Sequence, residues 1–158
     1  MSVDRALLNR LPTISERLFA QKAAKKLSFE TIGEKLGRNE IWVASLFYGQ
    51  AKPEDKDIGV LAQLLDIPES ELELAMGESF FPDKCKLIDL PPRDPLLYRL
   101  YEIVASFGYA YKAIIHEKFG DGIMSAIAFD SKIEKVEVDG APWVQIVLRG
   151  KFLPYKRF

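Results

Sequence analysis

Two short stretches of this chain hold residues that could do chemistry on a small anion. In DPLLYRLYE, Arg99 and Glu102 stand three positions apart, so on a helix both project from one face and can act together. In HEKFGDGIMSAIAF, residues 116–129, two glycines flank Asp121, and Ser125 follows in a run of small and apolar residues. A guanidinium brings fixed positive charge and a fork of donors, and a serine brings one hydroxyl donor. Glycines let a backbone approach a compact ligand, and the N–H groups of such a turn can receive an anion.

Each feature also has a plain structural explanation. An Arg and a Glu at this spacing can be a surface ion pair of little consequence. What favours a functional pair is its company: Tyr98, Leu100, Tyr101, Ile103 and Val104 leave little polar face, which predicts that Arg99 and Glu102 are partly buried. GDG can equally be a helix stop, and Ser125 a satisfied core hydroxyl. No base stands near Ser125 in sequence, so nothing marks it as an activated nucleophile. His116 is the sole histidine, which excludes a multi-histidine metal site and suits the negative end of a helix. Cys85 is the sole cysteine, so no intrachain disulfide is possible, and no motif surrounds it. Neither a Walker motif nor a dinucleotide fingerprint is present. The expectation is an enzyme site without metal or organic cofactor.

The elements that must position these residues follow from periodicity. Ile14, Leu18, Ala20 and Ala24 predict a first helix over 14–24, and Ser28–Leu36 a second that stops at Gly37. Asn39 caps a third that ends at Gly49; Ile58–Leu65 and Pro68–Met76 give a fourth and fifth. From Gly77 to Pro95 the chain holds Gly77, Pro82, Pro91, Pro92 and Pro95 and no sustained period. Helical spacing returns from Leu96 to Phe107, Gly108 is expected to kink or break it, and a further helix runs from Tyr109 to about Phe119. Beyond GDG the period falls to two. Val136 and Val138 alternate, Asp139-Gly140 signals a hairpin turn, and Val144, Ile146 and Leu148 alternate on the return. The fold class is α+β: a helical N-terminal domain over 1–80, a linker over 81–95, and a small helix-plus-antiparallel-strand domain over 96–158.

Bulk properties narrow the partners. The chain is 48% hydrophobic and 28% charged with a net charge of -1, so no overall field draws in nucleic acid or an anionic membrane. No apolar run approaches the roughly 20 residues that span a bilayer, and residues 1–20 lack the pattern of a secretion signal. A cytoplasmic location is expected. The second and third helices, with Gly33, Gly37 and Val43, fit a helix-turn-helix, which makes a DNA-binding regulator with a C-terminal dimerisation domain the alternative function. Charge argues against it, because residues 1–80 hold 10 Lys plus Arg against 13 Asp plus Glu. Residues 39–48 offer Trp42, Phe47 and Tyr48 but no Arg, Lys or Gln to read base edges, which predicts an apolar helix facing protein.

DPLLYRLYEIVASFGYAYKAIIHEKFGDGIMSAI together with the ending GKFLPYKRF resembles the catalytic domain of the cyanase (cyanate hydratase) family, from about Pro92 to Phe158. SFETIGEKLG and FYGQAKP are more weakly similar to that family's helical domain, and DKCKLIDLPPR is the least similar stretch. The resemblance implies that Arg99, Glu102 and Ser125 are catalytic, and that cyanate reacts with bicarbonate to give carbon dioxide and carbamate, which then decomposes to ammonia and carbon dioxide. It also implies no cofactor, and a homodecamer of five dimers with active sites between subunits. On that reading bicarbonate is the nucleophile, Arg99 the main anion clamp and Ser125 a donor to one substrate. Glu102 either orients Arg99 or handles a proton.

Overall fold

The computed structural model describes residues 5–84 and 87–156, so Cys85 lies outside the described residues. The chain divides into two compact units, Met1–Leu87 and Ile88–Phe158. The first is helical: a 3-10 turn at Arg5–Arg10, then α1 (Thr13–Ala24), α2 (Phe29–Leu36), α3 (Glu40–Phe47), α4 (Asp55–Leu65) and α5 (Glu69–Met76). Local signals set the boundaries. The Ser28 hydroxyl accepts from the Thr31 N–H at 2.9 Å, and the Asn39 side chain accepts from the Ile41 N–H at 2.7 Å. Gly37 ends α2 at φ 64°, which a side chain would strain. Helix α4 starts three residues before its apolar period does, because its first turn is polar: the buried Asp57 carboxylate accepts from the Glu54 N–H at 2.9 Å and from Arg38 Nη2 at 2.9 Å.

Leu18, Ile32, Val43, Leu46, Phe47 and Leu61 form the centre of this unit's core. Phe47 meets Phe19 and Phe29 edge-on, with ring centroids 5.4 and 5.3 Å apart. Val43, Leu46 and Phe47 of α3 therefore face this unit's own core, while Ile41 and Trp42 stay partly exposed. Trp42 sits 4.9 Å from the Arg38 guanidinium and Tyr48 5.1 Å from Phe19. Gly33 lets α2 and α3 meet: a Cβ there would stand 2.6 Å from the Arg38 carbonyl oxygen. Gly33→Ala should cost about 2 kcal/mol by overpacking against backbone. Urea unfolding followed by Trp42 fluorescence in a Trp143→Phe background measures it, and an unshifted midpoint contradicts the tight crossing.

The second unit is one helix and one hairpin. Helix α6 runs unbroken over Pro95–Phe119, straight through Gly108. A glycine weakens a helix by only about 1 kcal/mol and removes no donor, so it need not break one. Beyond Gly120, β1 (Gly122–Val138) pairs antiparallel with β2 (Ala141–Pro154). The two turn residues have positive φ, 51° at Asp139 and 76° at Gly140, as a tight hairpin of this hand requires. Phe129, Ile133, Val144, Ile146 and Leu148 share one face of the ribbon by register, and each is exposed. Helix α6 buries none of its residues. An isolated two-stranded ribbon is marginal in water, so this unit has apolar faces in search of cover.

Candidate active site

Asp94 and Pro95 place the Arg99–Glu102 pair. The Asp94 carboxylate accepts from the Leu97 N–H at 2.9 Å and Pro95 occupies the first helical position, which starts α6 at a defined residue. Just over one turn in, Arg99 Nη1 donates to Glu102 Oε2 at 2.6 Å. That hydrogen bond, then the charge of Glu102, raises the Arg99 pKa further above its ordinary value. The Tyr98 ring lies 5.9 Å from the guanidinium carbon. The pair is not partly buried as its apolar neighbours predict: the side chains are 70% and 47% exposed. The neighbours are exposed too, since α6 has no buried residue among those described. Glu102 occupies one guanidinium donor and leaves the others to solvent or a ligand.

Ser125 is placed quite differently. Strand pairing holds from Val138↔Ala141 to Phe129↔Gly150 and resumes at Met124↔Phe152 with a shifted register. Residues 125–128 therefore bulge against Lys151 alone, and Ser125 is only 8% exposed within that bulge. Its Oγ accepts from the Ile127 N–H at 3.1 Å and the Ala128 N–H at 2.9 Å. A serine oxygen has two acceptor positions, and both are used, so what it has left to offer is its proton. This geometry suits a hydrogen-bond donor and is unsuited to a nucleophile, whose lone pair must be free. Nothing in RGKFLP marks Gly150, yet it lies directly against the bulge: a Cβ on it would stand 2.3 Å from the Ser125 carbonyl oxygen and 2.6 Å from Met124 Cγ.

A single chain joins Arg99 to Glu102 but does not bring Ser125 to them. From Arg99 to Gly120 the helix runs about 30 Å at 1.5 Å per residue. The five residues from Gly120 to Ser125 reach at most about 18 Å, so even a strand doubled back along α6 leaves Ser125 more than about 10 Å short of Arg99. The ties of α6 to the hairpin are at the far end, where Phe119 stacks at 5.3 Å from Phe152 and His116 Nε2 lies 3.2 Å from the Gly122 carbonyl oxygen. His116 Nδ1 is also 3.6 Å from the Asp121 carboxylate. The sole histidine thus works at the elbow between helix and hairpin.

In the first unit, Arg38 sits beside the start of α3 but is bonded to Asp57 and Glu54, which raise its pKa. Among the described residues no three His, Cys, Asp or Glu side chains converge as a metal site would require. Among the described residues no helix is long and apolar enough to cross a membrane.

Comparison with known proteins agrees with this anatomy. The cyanate lyase C-terminal domain family matches residues 89–157, a span that contains Arg99, Glu102 and Ser125. The crystal structure of cyanase from T. urticae is similar over 90% of this chain and 97% of that one, at 29% identity and a TM-score of 0.77. The C-terminal unit is thus similar to the cyanate lyase C-terminal domain, and the chain as a whole shares its fold nearly end to end with a cyanase.

Proposed function

We propose that this protein degrades cyanate in a bicarbonate-dependent lyase reaction, with Arg99, Glu102 and Ser125 as its catalytic residues. The observation that carries the reading is the family match over 89–157, with all three residues inside it. An oxygen of bicarbonate attacks the cyanate carbon, and the electrons of one C–N π bond move to nitrogen, which takes up protons. The bond between the former bicarbonate carbon and the bridging oxygen then breaks, releasing carbon dioxide and leaving carbamate. Cyanate, bicarbonate and one proton thus give carbon dioxide and carbamate, and a second proton converts carbamate to ammonia and carbon dioxide.

Two anions must be held together against their repulsion while a dianionic adduct forms. Arg99 supplies the fixed positive charge, and the Ser125 proton supplies a donor aimed by two backbone N–H groups. Glu102, hydrogen-bonded to Arg99, orients the guanidinium. Because Arg99 and Ser125 lie far apart along one chain, the site takes Arg99 from one subunit and Ser125 from another. The uncovered faces of α6 and the hairpin are the surfaces such an assembly would bury, and we propose a homodecamer of five dimers located in the cytoplasm.

The deciding experiment is incubation with cyanate, with and without bicarbonate, while ammonia and carbon dioxide are measured. Turnover should require both anions; ammonia release at the same rate without bicarbonate would remove the proposed nucleophile. Ser125→Ala should lower kcat/KM on the order of 10²-fold, as loss of one preorganised donor does. Turnover should also survive dialysis against a strong chelator, since the only histidine is spent at the elbow; an activity lost there and restored by zinc overturns this expectation.

A further inference from the structure

We infer that Gly150 is a positioning residue for Ser125, acting through the backbone of the bulge; the inference rests on the proposed role of Ser125 as a donor. The Ser125 carbonyl oxygen occupies the place where any side chain at 150 would begin, 2.3 Å from an ideal Cβ. Carbon and oxygen in contact normally keep about 3.3 Å, so a methyl group there drives the carbonyl back by about 1 Å. Flexible side chains can yield to such pressure, as Met124 can. A carbonyl within a strand cannot move alone: its peptide plane must tilt, and Ser125 and Ala126 move with it. The Oγ is held by the N–H groups of Ile127 and Ala128, two and three residues further on, so this tilt misaligns the hydroxyl with both. Glycine at 150 thereby lets four residues bulge against one and sets the direction of the Ser125 proton. Backbone freedom is not the reason, since among the described glycines positive φ occurs at 37, 49, 120 and 140 but not at 150.

A double-mutant cycle on the assembled enzyme tests this. Gly150→Ala should lower kcat for cyanate about 10²-fold, the usual effect of a 1 Å misplacement, while KM for cyanate at saturating bicarbonate stays within about threefold. In a Ser125→Ala background the same glycine change should cost less than about threefold, because its target is already gone. Met124→Ala/Gly150→Ala removes the yielding half of the contact, so it should assemble like the parent and retain the full loss. Multiplying losses in the Ser125→Ala background overturn the inference, as does recovery in the Met124→Ala pair. Normal kcat in Gly150→Ala overturns it too. Failure of both glycine variants to assemble, judged by light scattering, would show that Gly150 holds the fold and not the hydroxyl. A fully active Ser125→Ala enzyme is separate: it removes the role of Ser125 itself, and the inference with it.

Discussion

Replacing Arg99 by leucine will reduce kcat/KM for cyanate by about 10³-fold or more, while particle size and melting temperature stay those of the parent. The reason lies in where the residue stands. Arg99 is exposed on a helix that buries nothing within its own chain, and its one polar tie is to the neighbouring Glu102. Removing an exposed guanidinium takes little from folding, whereas two anions brought together have no other fixed positive charge in the proposed site. Glu102→Gln separates the two roles open to the carboxylate. An amide oxygen can still accept from Arg99 at 2.6 Å, so a loss much smaller than that of Arg99→Leu identifies Glu102 as the group that orients the guanidinium. An equal loss identifies a proton carrier. Normal kinetics in Arg99→Leu would refute the site, whatever the resemblance to cyanases.

Mixing two inactive proteins should restore activity. If Arg99 and Ser125 meet only across subunits, co-refolded Arg99→Leu and Ser125→Ala chains form some sites with both native residues. For random pairing between two chains, half of the pairs are mixed and half of the sites in each are intact, so about a quarter of parental turnover returns. Each variant alone supplies no such site. A mixture no more active than the sum of its components, with exchange of subunits verified by mass, would show that one chain completes the site. For the same reason, dilution or mild urea that separates the chains should abolish turnover in step with the loss of particle mass. A fully active monomer would contradict the shared site.

Much of this protein was written locally. Ser28 and Asn39 cap helices because their side chains reach N–H groups two or three residues on, and Asp139-Gly140 turns the chain because both residues tolerate positive φ. The contact between Arg99 and Glu102 follows from helical spacing, which depends on no other part of the chain. These features need only near neighbours, so residue type and interval decide them. The resemblance of 89–157 to cyanases was equally a property of residue order.

Tertiary structure alone decided the rest. Helix α6 passes through Gly108 because the weakening caused by one glycine is small beside a continuous ladder of hydrogen bonds, a balance that no local motif reveals. The apolar residues around Arg99 predicted burial, but hydrophobic pattern says that a face wants cover and not whether its own chain supplies it. The same limit applies to α3, whose Val43, Leu46 and Phe47 fill the core of its own unit. Ser125 became a two-acceptor, one-donor hydroxyl only through the bulge at 125–128, and that bulge is a matter of register with a strand 25 residues further along. Register is set by the whole pairing of two strands, so the closeness of Gly150 to Ser125 appears only once both are in place.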